Sequence, residues 1–118
     1  MCVEALRVLV VDDSAVVRVT LARALRAAGL EVVERVSVAS SGDVPAESLL
    51  CAVLDLELDD GQGTAVAARL RAERPMLPVA FFSSTEDAEL LARARQLGPV
   101  HAKPADLAAV VAWACAAR

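Results

Sequence analysis

Five polar side chains stand directly after, or close the end of, short apolar runs: Asp12 and Asp13 after Leu6 to Val11, Asp55 after Cys51 to Leu54, Ser83 after Pro78 to Phe82, and Lys103 after Val100 to Ala102. Three of the five are carboxylates. Brought to contact distance they repel by up to ~4 kcal/mol per pair at an effective dielectric near ~20. Lys103 offsets part of that repulsion, and an oxygen-ligated divalent cation would offset the rest. A hard ion that keeps several waters and takes only a few carboxylates is magnesium. A carboxylate beside such an ion is placed to attack phosphorus, because metal and ammonium together hold the equatorial oxygens of a phosphoryl group in transit. The hydroxyl of Ser83 then has one of those oxygens to bond. Taken singly, each residue has a plainer role: an Asp-Asp pair caps a helix, Ser83 caps the next one, Lys103 is a surface lysine. The chemistry lies in their combination at strand ends.

The apolar runs are the elements that position these groups. Leu6 to Val11 reads as a buried first strand feeding a helix from Ser14 to Ala28, with Val17, Leu21, Leu25 and Ala28 at helical spacing and Gly29 as its stop. Glu31 to Val36 reads as a second strand. The stretch after it, with Ser40-Ser41-Gly42 and Pro45, supports only a short or irregular second helix. Cys51 to Leu54 is a third strand, buried on both faces. Asp59-Asp60-Gly61-Gln62-Gly63 reads as a turn, lacking the third glycine of a phosphate loop. Helices are expected over Thr64 to Glu73 and Glu86 to Leu97, with a strand at Pro78 to Phe82 between them. A very short strand at Val100 to Ala102 precedes a last helix led by Pro104 or Ala105. Strand and helix alternate five times, which implies an α/β, flavodoxin-like (βα)5 doubly wound fold: a five-stranded parallel sheet, order 2-1-3-4-5, with helices on both faces. Ligands of such sheets bind beyond the carboxyl ends of the strands, where all five polar residues converge.

Composition narrows the function classes. The 118 residues suit one domain, apolar residues make up 57% and aromatics 3%, so the core is built of Val, Leu and Ala. A net charge of −4 gives no basic footprint for direct nucleic-acid binding and no cationic face for a membrane. Cys2, Cys51 and Cys115 are scattered, which argues for reduced thiols in a cytoplasm and against zinc. His101 is the only histidine and reads as an ordinary strand residue. No leader-like segment is evident, and the run Val8 to Val11 is too short to span a bilayer, so a soluble cytoplasmic protein is expected.

The set Val10-Val11-Asp12-Asp13-Ser14, Leu54-Asp55, Phe82-Ser83-Ser84 and Lys103-Pro104 resembles, across the whole chain, the receiver domain of bacterial two-component response regulators, which are CheY-like. The resemblance implies one receiver domain over residues 1–118. It implies that Asp55 accepts a phosphoryl group from a histidine kinase or phosphotransfer protein in a Mg²⁺-dependent step. Asp13 would bind the ion directly, Asp12 mainly through water, and Asp55 and the main-chain carbonyl of Glu57 would complete the metal site. Ser83, with Ser84 beside it, and Lys103 would contact the phosphoryl group and form the switch. Such a chain is no enzyme in the ordinary sense, catalysing only its own phosphorylation and dephosphorylation. Several positions depart from the family pattern. Val100 stands where the switch aromatic is usual, the segment from Gly98 to Lys103 is two residues short, Ala105 replaces an aromatic, and Asp59 replaces a proline. These changes touch output more than phosphoryl chemistry.

The last helix carries the other oddity. Leu107, Val110, Val111 and Ala114 form the stripe expected to pack on the sheet, leaving Ala105, Ala109, Ala112, Trp113 and Ala116 pointing elsewhere. Helices apolar all round are normally buried, and a Trp on such a face is a common interface anchor. Trp113, Ala109 and Ala116 are therefore candidates for docking an effector or a second copy, in keeping with the family's use of the surface around its fourth and fifth helices; Ala as helix filler is the plainer reading. As a whole the chain is expected to be a phosphoacceptor, with no output domain, either complete or cut from a longer protein. The alternative is a pseudo-receiver working as a phosphorylation-independent adaptor. A flavin- or nucleotide-binding enzyme is disfavoured by the missing phosphate loop and scarce aromatics.

Overall fold

The computed structural model describes residues 6–118, so Cys2 lies outside the described residues. In chain order it runs β1 (Arg7–Val11), α1 (Ala15–Ala27), β2 (Glu31–Arg35), α2 (Val38–Ser41), a 3₁₀ turn (Ala46–Ser48), β3 (Leu49–Leu54), β4 (Glu57–Leu58), β5 (Gly61–Gln62), α3 (Gly63–Glu73), β6 (Val79–Ser83), α4 (Ala88–Leu97), β7 (Val100–Ala102) and α5 (Leu107–Ala116). Five strands form one parallel sheet in the order β2-β1-β3-β6-β7, the doubly wound order expected, with β4 and β5 as a separate antiparallel pair.

The continuous apolar runs are explained by burial on both faces. Leu9, Val11, Ala52, Leu54, Val79 and Phe81 face one core, closed by residues of α3 and α4. Val8, Val10, Cys51, Val53 and Phe82 face the other, closed by Leu21 and Leu25 of α1 and Val110 and Ala114 of α5. Fully burying each of these leucines and valines contributes about 1.5–3 kcal/mol, and this outweighs the weak local signal of the shorter helices. Cys51 is fully buried, and burial followed by the charge of Cys115 pushes its thiol up to about 12, which keeps it protonated.

Helix α1 begins at its cap, Ser14, whose hydroxyl accepts from the Val17 N–H, and it stops at Gly29, whose φ of 89° suits glycine. The second crossover holds only the four residues of α2 and the 3₁₀ turn. Arg69 of α3 fastens this segment by donating to the carbonyls of Val44 and of Ser41, the latter also accepting from the Val44 N–H.

Three sequence expectations change. The loop after Asp55 is a small hairpin, β4 on β5, fastened to α2 by Asp60, whose carboxylate oxygens accept from the N–H groups of Val38 and Ala39 at 2.9 and 3.0 Å. Helix α4 starts at Ala88 rather than Glu86, because Asp87 caps it by accepting from Glu89 and Leu90. Helix α5 starts at Leu107 rather than Pro104 or Ala105: residues 103–106 form a turn in which the Asp106 carboxylate accepts from the Ala102 N–H at 2.8 Å. Trp113 is half-buried and packs on the α1/α5 core, while Ala109, Ala112 and Ala116 are exposed. His101 lies beside Phe82 in the sheet register with its Nε2 buried and without a partner among the described residues.

Candidate functional site

Each site residue hangs from the last rung of the sheet. The N–H of Asp12 donates to Arg35 on β2 at 3.1 Å, that of Asp55 to Val11 on β1 at 2.9 Å, and that of Lys103 to Ser83 on β6 at 3.0 Å. Parallel strands put these rungs at one edge, so their side chains meet. Oxygens of Asp12, Asp13 and Asp55 lie within 4.8 Å of one another. Lys103 Nζ joins two of the three, at 2.8 Å from Asp12 Oδ2 and 3.2 Å from Asp55 Oδ2.

Burial decides how these groups titrate. Asp55 is 7% exposed, and that burial raises its carboxyl above the usual range; the Lys103 ammonium pulls it back and the Asp12 charge pushes it further up. Burial works against the ammonium of Lys103, but its hydrogen bond to Asp12 and the charge of Asp55 more than offset this and raise it. The ammonium is thus locked between two acids. Among the described residues no cationic side chain pairs with Asp13, which leaves the site short of positive charge.

The donor set suits a hard divalent cation: three carboxylates within one ion's reach, no thiol or imidazole, and a single ammonium for three charges. Glu57 follows at the start of β4, its N–H donating to Asp55 Oδ1 at 3.4 Å, so the residue expected to lend a carbonyl lies beside the Asp55 carboxylate. Ser83 is buried; its hydroxyl accepts from the Thr85 N–H at 3.1 Å and keeps its own proton for another acceptor. Ser84, next to it, is exposed. An apolar cleft of about 200 Å³, lined by Val16, Val17, Thr20, Phe82, Lys103, Pro104 and Leu107, opens beside Lys103.

Two residues of the site escape a reading of the sequence. Asp59, on the hairpin tip, lies beside Asp13, and interaction with the Asp13 carboxyl and its charge raises Asp59. Its only signal is the proline it replaces. Gly63, read as part of a turn, opens α3 with its N–H donating to Leu56 at 3.1 Å; a Cβ there would lie 2.0 Å from the Asp55 carbonyl oxygen, so only glycine lets α3 pack under Asp55.

Similarity to known proteins agrees with this geometry. The family model for the response regulator receiver domain matches residues 8–112. A search of curated protein sequences finds no match. Similar solved structures include the non-phosphorylated HemR receiver domain from Leptospira biflexa, at 23% identity with a TM-score of 0.83, covering 95% of this chain and 93% of that one. A CheY-like response regulator receiver domain protein from Methanospirillum hungatei is 18% identical with a TM-score of 0.79, covering 92% and 90%. A response regulator receiver protein from Sinorhizobium medicae is 22% identical with a TM-score of 0.80, covering 97% and 94%. With a doubly wound sheet, an acid cluster at its carboxyl edge and a family match across 8–112, the chain belongs to the response regulator receiver domain family of two-component signalling.

Proposed function

We propose that this chain takes a phosphoryl group onto Asp55 in a Mg²⁺-dependent reaction, from a phosphohistidine of a histidine kinase or phosphotransfer protein. The observation that carries the reading is the convergence of Asp12, Asp13 and Asp55 within 4.8 Å, with Lys103 bonded to two of them. Asp13, Asp12, Asp55 and the Glu57 carbonyl would hold Mg²⁺, which supplies the positive charge that lets carboxylates and phosphoryl oxygens share one site.

The remaining work belongs to the protein. Glu57 N–H and Lys103 fix the two oxygens of Asp55, so the carboxylate faces an incoming donor in one orientation. A bond forms from a carboxylate oxygen to phosphorus as the phosphorus–nitrogen bond of the donor breaks, and the imidazole leaves with the electron pair. Lys103 follows the charge onto the phosphoryl oxygens, and the Ser83 hydroxyl donates its proton to one of them. The chain turns over nothing but itself, making and losing its own acyl phosphate. A cytoplasmic setting suits such a donor, and among the described residues no helix is long and apolar enough to cross a membrane. The surface around α4, β7 and α5, where Ala109 and Ala116 are exposed beside Trp113, is the output face, taking an effector or a second copy.

Incubation with acetyl phosphate and MgCl₂ followed by intact mass tests this. One added phosphoryl group on the parent and none on Asp55→Asn is expected. No gain on the parent would leave a second reading, an adaptor that works without phosphorylation, which Val100 and Ala105 favour by removing the aromatic rings that would report the change.

A further inference from the structure

Arg18 lies on α1 and its guanidinium points two ways. Nη1 donates to the carbonyl oxygen of Asp12 at 3.0 Å, and Nε pairs with Glu34 of β2 at 3.4 Å. Glu34 is itself held, by Arg26 at 3.2 Å, and Arg26 donates further to the Val32 carbonyl. The two arginines, roughly two turns apart on α1, thus grip one acid on the neighbouring strand.

The carbonyl that Arg18 holds belongs to the peptide joining Asp12 to Asp13. That peptide is planar, so fixing its oxygen also fixes the direction in which the Asp13 Cα departs. Every other polar atom of Asp12 has a different partner: its N–H donates to Arg35, Oδ1 accepts from Ser14 N–H at 2.9 Å, and Oδ2 accepts from Lys103. Asp13 has no cationic partner among the described residues, and Asp59 beside it is another acid, so its approach to Asp55 is set largely by the backbone it hangs from.

We propose that Arg18 is a positioning residue for divalent-cation binding, setting the Asp12–Asp13 peptide so that both carboxylates reach Asp55, with Glu34 as its anchor. This rests on the reading of the acid cluster as a cation site. Arg18 touches neither cation nor phosphoryl group; it acts through Asp12 on affinity.

Titration of the intact chain with MgCl₂ alone, followed by calorimetry, tests it. Arg18→Gln weakens binding about tenfold, the scale of one charge-assisted hydrogen bond. Glu34→Gln weakens it about threefold, and the double variant is no weaker than Arg18→Gln, because both changes cut one tether. In phosphorylation by acetyl phosphate, the Mg²⁺ level for half-maximal rate rises while the rate at saturating Mg²⁺ stays at the parent value; a general packing lesion would lower the saturated rate as well. Arg18→Lys keeps the charge but not the fork, recovers part of the affinity, and serves as the test should the Gln variant not fold. A folded Arg18→Gln or Arg18→Lys protein with parental Mg²⁺ affinity overturns the proposal, as does an additive double variant. A parent chain that takes up no Mg²⁺ overturns the cation site itself, and is a separate result.

Discussion

The carboxyl edge of the sheet and the outer face of α5 are built to different rules. At the edge, every polar atom of Asp12 has its own partner, drawn from β2, from α1 and from the residue after β7. On α5 the exposed positions Ala108, Ala109, Ala112 and Ala116 offer no polar group at all, and Trp113 leans back on the core. Buried charges need partners, since an unpaired one costs several kcal/mol, so a polar site is specified by its neighbours. An apolar face specifies nothing until something covers it. The acid cluster is thus fixed by the fold, while the face of α5 is left to whatever covers it, and Val100 and Ala105 stand where the family pattern has aromatic rings.

That contrast can be broken from the site inwards. Asp55→Asn should abolish acyl phosphate formation outright, as read by intact mass. The same change should stabilise the Mg²⁺-free chain at neutral pH, because burial raises Asp55 and its ionisation works against folding. The sign follows from a folded value above 3.8: the penalty is absent below 3.8 and complete once pH passes the raised value, so urea midpoints of parent and variant should converge in acid. An unchanged gap across that range would show that the edge is not short of positive charge.

Gly63→Ala comes next, at about 2–4 kcal/mol, since its Cβ would fall 2.0 Å from the Asp55 carbonyl and α3 must move or the Asp55 loop must. A near-neutral urea midpoint would mean that Asp55 is not clamped from below. Lys103→Met should slow phosphorylation by acetyl phosphate about a hundredfold, the scale for losing one preorganised charge. Its pairing raises Lys103 above 10.5, so the stability it adds is full below pH 10.5 and is lost as pH climbs through the raised value. Titrating the urea midpoint into alkali on parent and variant checks that loss.

The smallest effect belongs to α5. Ala109→Glu and Ala116→Glu, both on exposed positions, should leave stability within about 0.5 kcal/mol yet lower the mass seen by light scattering or abolish effector binding. Trp113→Glu is a poorer probe than its sequence position suggested, because the ring packs on the core and the change also costs stability. Unchanged mass and partner binding in all three would remove the interface from α5.

How much was legible before the structure depended on the range of the interaction. Periodic apolar residues and terminal Asp, Ser and Gly signals report on neighbours a few positions away, so the alternation of strands and helices, and with it the meeting of Asp12, Asp13, Asp55, Ser83 and Lys103 at one edge, followed from the sequence. A parallel sheet allows no other place for strand ends. The starts of α4 and α5 were misjudged by two or three residues because side-chain caps, Asp87 and Asp106, decide them.

Only the tertiary structure could place Asp59 against Asp13, bring Glu34 to Arg18, tie Asp60 to α2, and press Gly63 beneath Asp55. Those contacts join residues from separate elements, and their distances depend on how helices settle on the sheet. Sequence periodicity carries which face a residue takes; it does not carry the few ångströms that separate a solvated loop acid from a member of the site.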